Sequence, residues 1–181
     1  MSLTTLENII KPQRAARAAA IPIRWAVIEE ELGTRLPMDY KTFVEAFGVG
    51  TINNFLVVLV PRSTNQNVDL LKRGRRELEA FEVSKREFPK YYRDEVYPSP
   101  GGILPFAVTD NGEVLHWRTA ADPEQWTVTA YESRGPKHFD FNGGITDFLV
   151  ALLTGKVESD VLPRGLSNIR PTFTPINMPN S

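Results

Sequence analysis

The chain has 181 residues, 41% hydrophobic and 24% charged, with 14 prolines, 12 glycines and no cysteine. This length suits one domain with a single sizeable core, and the balance is that of a globular chain rather than a disordered one. Without cysteine, disulfides and thiolate metal sites are excluded and the redox compartment is unconstrained.

The formal charge of −1 is unevenly divided. Residues 1–20, 62–95 and 156–181 carry +2, +2 and +1, which leaves −6 on 21–61 with 96–155. Asymmetry of this kind bears on partners rather than on fold. Met1–Glu7 lacks the basic head and apolar run of a secretory signal, and no stretch approaches the roughly 18–20 apolar residues that span a bilayer. The expectation is a soluble, cytoplasmic protein with no membrane partner.

Residues 1–20 read as a loosely attached arm with some helical propensity. A first helix begins near Pro22, with Ile21, Trp25, Ile28 and Leu32 on one face and Gly33 as its stop. A second follows Leu36-Pro37, with Tyr40, Phe43, Val44 and Phe47 at i, i+3, i+4, i+7, Asp39 in its first turn and Gly48 at its end. The apolar run Phe55–Val60, bounded by Asn53-Asn54 and Pro61, predicts a strand covered on both faces. Residues 66–92 read as a charged helix with Leu71, Leu78, Phe81 and Phe88 on one side, weakened by Gly74.

Pro98, Pro100 and Gly101-Gly102 turn the chain back into the sheet. Asn111-Gly112 predicts a two-residue type I′ hairpin that sets Val108 opposite Leu115 and Phe106 opposite Trp117. Asp110 then faces Glu113, a like-charge conflict that a longer loop would relieve. Trp126–Tyr131 alternates as a strand, His138–Phe141 forms a short last strand, and Asn142-Gly143-Gly144 leads into a closing helix. There Ile145, Phe148, Leu149 and Leu152 form the stripe and Gly155 the stop. Residues 156–181, with four prolines and little periodicity, read as an extended or disordered tail.

The order predicts an α+β fold: a single antiparallel sheet of about four to six strands flanked by two N-terminal helices, one inserted helix and one C-terminal helix. The domain spans 21–155 with a helical insertion at 62–97, between the arm 1–20 and the tail 156–181.

Leu36-Pro37-x-Asp39-Tyr40 and an aromatic helix ending Gly48-Val49-Gly50, then Ile103–Ala107, Asn111-Gly112-Glu113 and Trp117, then Phe141–Gly144 with Phe148 and Leu149, stand in the order seen in the SMI1/KNR4 (SUKH) superfamily. The chain resembles that family over about residues 21–155. The resemblance implies an α+β domain used for protein recognition. Bacterial members resemble immunity proteins that neutralise toxins, often nucleases, and fungal relatives act as scaffolds in cell-wall signalling. It carries no catalytic motif.

The residues themselves point the same way. Glu29-Glu30-Glu31 point in different directions on a helix and read as solvated, and Asp110 with Glu113 read as exposed hairpin residues rather than a catalytic pair. His116 and His138 have no neighbour at metal-ligand spacing, so no metal is expected. No Gly-x-Ser-x-Gly elbow occurs, and the Gly143-Gly144 turn lacks the lysine of a phosphate loop. The basic cluster Lys72-Arg73-Gly74-Arg75-Arg76 is followed at once by Glu77, Glu79, Glu82 and Glu87, thin for phosphate-driven binding, so no direct nucleic-acid contact is expected. Trp25, Trp117 and Trp126 read as core.

The sequence thus predicts a non-enzymatic, cofactor-free protein-binding module, of immunity type, acting on a basic toxin domain. A signalling scaffold is the alternative and an uncharacterised hydrolase the third reading. The acidic surface would steer the partner, with the interface at Asp110, Glu113, Asp122 and Glu124.

Overall fold

In chain order, the computed structural model, which describes residues 3–12, 22–135 and 137–176, contains α1 (Leu3–Ile9), α2 (Trp25–Leu32), α3 (Met38–Phe47), β1 (Gly50–Ile52), β2 (Leu56–Val58) and α4 (Leu70–Glu87). There follow β3 (Ile103–Thr109), β4 (Val114–Arg118), β5 (Thr127–Tyr131), β6 (His138–Phe141), α5 (Ile145–Leu153) and β7 (Phe173–Pro175). The class is α+β, as the sequence predicts. Seven strands form one antiparallel sheet in the order β6-β5-β4-β3-β2-β1-β7, slightly more than the four to six expected.

The aromatic stripe of α3 behaves as its spacing demands. Tyr40, Phe43, Val44 and Phe47 are all buried, and the Tyr40 hydroxyl donates to the Leu59 carbonyl at 2.7 Å. Trp117 lies under this helix, 4.9 Å from the Tyr40 ring and 5.0 Å from Phe106. In α2 only Ile28 is buried, and Gly33 ends the helix with a left-handed φ of 76°. Ile21 lies outside the described residues. Trp25 is only partly buried and donates Nε1–H to Glu45 at 2.6 Å, so it belongs to the rim rather than the core.

The closing helix is apolar all round, with Ile145, Phe148, Leu149, Val150, Ala151, Leu152 and Leu153 buried. Such a helix needs cover on its outer side as well as its sheet side. That cover corrects two expectations. Residues 3–10 are not a loose arm: α1 packs on α5 with Leu6 and Ile10 fully buried. Nor is 156–176 an unstructured tail, because Val161, Leu162 and Phe173 enter the core and β7 pairs with β1. Val161, Leu162 and Phe173 are set among prolines and polar residues with no periodicity to mark them, whereas Leu3, Leu6 and Ile10 stand at i, i+3, i+7, a short helical stripe.

The hairpins also differ from expectation. The positive-φ pair is Asn53 (53°) and Asn54 (50°), which closes a tight β1–β2 hairpin. At Asn111-Gly112 the loop has three residues with only Gly112 left-handed, and Phe106 is an extra residue in β3. The register is therefore Ala107 with Leu115, Val108 with Val114 and Leu104 with Trp117, not the two pairings expected. The longer loop removes the conflict between Asp110 and Glu113, and the bulge keeps Phe106 against Trp117.

On the other sheet face, α4 packs against β3. Asp69 caps α4 by accepting from Leu71 N at 3.1 Å and Lys72 N at 2.8 Å. The helix ends at Glu87, so Phe88 projects past it and is exposed rather than packed. Gly74 is buried, yet a Cβ there would meet the Pro105 carbonyl oxygen no closer than 4.0 Å. Gly74→Ala should therefore raise stability by up to about 1 kcal/mol in equilibrium denaturation. A loss would show that α4 needs a bare backbone at this contact.

Candidate interaction surface

Alternation along β4 sends Leu115 and Trp117 into the main core and Val114 and His116 toward α4. Beyond α4 the chain returns across the same sheet face through residues 88–97. Asp94 fastens that return: it accepts from both terminal nitrogens of Arg118 (Nη2 at 3.0 Å) and from the Tyr131 hydroxyl at 2.6 Å. Arg118 also reaches Asp140 on β6 at 3.0 Å. Burial and then the Asp94 carboxylate push the Tyr131 hydroxyl well above the ordinary phenol range. Burial works against the Asp140 charge, but Thr129 and Arg118 outweigh it and lower that pKa.

This clamp assembles a second aromatic cluster. The Phe81 ring lies 4.8 Å from Tyr131 and 5.3 Å from Tyr92, nearly perpendicular to both, while Tyr92 and Tyr131 are nearly parallel at 5.7 Å. With His116 beneath them these rings bound a cup of about 130 Å³, whose rim is made by Glu77, Ser84, Gly112, Glu132 and Ser133. Such a volume is below the roughly 300–1,000 Å³ of ordinary small-molecule sites and suits the end of one side chain. His116 is 1% exposed and its Nδ1 has no hydrogen bond of good geometry, although the Val114 carbonyl contributes nearby. Burial holds its pKa at about 3, so the ring is neutral.

Next to the cup a wider groove of about 390 Å³ opens between Phe88, Tyr91 and Tyr92 on one side and Arg134-Gly135 of the β5–β6 turn on the other. Phe88 is 58% exposed and Tyr91 45%, with Val83 nearby in sequence at 49%. Three of the five large exposed apolar side chains among the described residues thus fall within positions 83–91. Phe88 and Tyr91 line the groove together, whereas Val83 does not, so the candidate contact surface is this aromatic pair.

The four carboxylates expected to form an interface are not brought together. Asp110 is exposed at the β3–β4 turn, whose Asn111 carbonyl accepts from Ser133, so it stands beside the cup. Glu113 is not an exposed hairpin residue: it is 6% exposed, its backbone N–H donates to Thr109 Oγ1 at 3.0 Å, and its carboxylate accepts from the same hydroxyl. The three-residue loop turns it inward. Asp122 and Glu124 lie beyond the opposite end of β4. Asp122 caps a short 3-10 turn by accepting from Glu124 N at 3.1 Å, and Glu124 accepts from Met38 N at 2.9 Å.

Other candidates resolve into structural roles. Glu30 and Glu31 are exposed, while Glu29 accepts from Leu36 N at 2.8 Å and pairs with Lys41. In the basic cluster Arg73 pairs with Glu77 and Arg76 donates to Asn67 at 3.1 Å. The N-terminus of α5 already has its anion: Asp39 accepts from Thr146 N at 3.1 Å, with Gly144 packed against the carboxylate. Asp39 is the one carboxylate pushed upward among the described residues, chiefly by burial, and this capping position is no cleft. No group of three or more potential metal ligands occurs among the described residues, and no helix there is long and apolar enough to cross a membrane. A separate cavity of about 280 Å³ lies between the end of α5 and residues 157–168.

The architecture is thus an α+β domain with helices on both sheet faces and an aromatic groove formed by the segment that follows the inserted helix. The profile of the SMI1-KNR4 cell-wall family matches residues 24–149, and the chain belongs to that family. Neither a curated protein nor a solved structure matches it.

Proposed function

We propose that this protein is a non-enzymatic binding module of immunity type, which neutralises a toxin, for instance a basic nuclease domain, by stoichiometric association in the cytoplasm. Family membership supports a protein-binding role. The observation that carries the proposal to a surface is the groove of Phe88, Tyr91 and Tyr92, where two aromatic side chains stand exposed beside a half-buried third and Arg134. Asp110 beside the cup, and Asp122 with Glu124 at the far end of β4, supply acidic charge that steers a basic partner.

The test is co-expression with the product of an adjacent toxin-type gene. The expected result is restored growth and a one-to-one complex that co-purifies. The double variant Phe88→Asp with Tyr91→Asp should fold normally, both side chains being exposed, and lose binding by about 100-fold or more. An intact complex would move the interface away from the groove. The cell-wall designation of the family favours a second reading, a signalling adaptor, and capture of an endogenous signalling protein in place of a toxin would support it.

A further inference from the structure

The cup beside the groove has a chemistry of its own. Its lining includes Glu77 and Glu132 and no lysine or arginine, and the Glu132 carboxylate packs against Gly135 at the boundary with the groove. Glu77 is engaged by Arg73, whereas Glu132 makes no ion pair among the described residues. Both serine hydroxyls at the rim have given away their protons, Ser84 to the Ala80 carbonyl at 3.1 Å and Ser133 to the Asn111 carbonyl at 3.0 Å, so each oxygen is left as an acceptor. The walls are the rings of Phe81, Tyr92 and Tyr131, whose faces carry negative potential. His116 forms the floor, buried and with Nδ1 unpartnered. The rim side chains thus offer carboxylates and acceptor oxygens, and the space admits only a few heavy atoms.

We propose that this cup is a receptor for one alkylammonium group, the side chain of a lysine presented by the protein partner. The ammonium lies against the aromatic walls with Glu132 as its counter-ion and the serine oxygens as acceptors, and the methylene stem passes out toward Tyr92 and the open groove. The inference rests on the groove being the partner's docking surface, and it names the anchor that surface takes. Aromatic rings together with a carboxylate favour a cation over an equally long neutral chain, so charge rather than shape sets the choice. The same composition disfavours an acidic residue, which would meet Glu132.

The probe is Nα-acetyl-lysinamide, titrated into the isotope-labelled full chain and followed by amide NMR, with Nα-acetyl-norleucinamide as the uncharged control bearing an aliphatic side chain. Saturable shifts should fall on the amides of Gly112, Val114, Tyr131, Glu132 and Ser133. The lysine compound should bind about fivefold more tightly than the norleucine compound. Glu132→Gln should erase most of that ratio while leaving the spectrum folded. Equal binding of the two compounds, or shifts that do not saturate or lie elsewhere, would overturn the assignment. Failure of this titration leaves toxin neutralisation standing, and its success with no toxin partner leaves the cup standing.

Discussion

Trp117→Ala is expected to lower the unfolding free energy by about 3–5 kcal/mol, at the upper end of what removing one core side chain costs. The side chain is fully buried where three elements meet: Tyr40 of α3 at 4.9 Å, Phe106 at the β3 bulge at 5.0 Å, and Trp126 before β5 at 5.5 Å. Truncation removes the surface against which α3 is held, and the close-packed sheet beneath can collapse only in part. Its Nε1–H has no partner, so the loss is one of packing, and Trp117→Phe should recover most of it. Trp25 gives the contrast. It is partly exposed and pairs with Glu45 at the rim, so Trp25→Ala should cost about 1 kcal/mol or less. Urea or guanidinium titration at neutral pH measures all three. A cost for Trp117→Ala as small as that for Trp25→Ala would mean that the aromatic junction does not organise the core.

How much of the fold is legible in the sequence follows from how local each signal is. The stripes of α3 and α5 lie within single helices, and the glycine stops at 33 and 48 act on adjacent residues, so spacing alone places them. The Asn53-Asn54 turn is equally local but reads in the sequence as a boundary, which hides β1. The docking of α1 and of Val161, Leu162 and Phe173 is a consequence of α5 being apolar on every side. Composition shows that property, but a helix that needs covering does not say which segment covers it. The cup is harder still to read. Phe81, Tyr92, His116 and Tyr131 come from four separate segments, brought together by the Asp94–Arg118 clamp and by the bulge at Phe106 that shifts the β3–β4 pairing. No periodicity links such positions. The carboxylates at 110, 113, 122 and 124 stand out by residue type alone, and residue type does not reveal that a strand end turns Glu113 inward or that 110 and 124 lie at opposite ends of β4.

The floor of the cup gives the second large effect, in the pH dependence of stability. His116 titrates at about 3 in the folded chain because burial excludes the charged ring, against about 6.5 when unfolded. Below pH 6.5 the unfolded chain therefore takes up a proton that the folded chain refuses. Stability falls as pH drops through the window from 6.5 toward 3, and this contribution is fully present only above it. Between pH 7 and pH 5 the loss should be about 2 kcal/mol, at 1.36 kcal/mol per unit. His116→Gln removes the proton uptake, so its stability should be flatter than the parent's across that range. Carboxylates titrate alike in both chains and cancel in the difference. Equal slopes would show that water enters the cup and hydrates the imidazolium. A wet cup would also weaken its preference for an ammonium group, because aromatic walls and a lone carboxylate hold a cation well only where water is kept out.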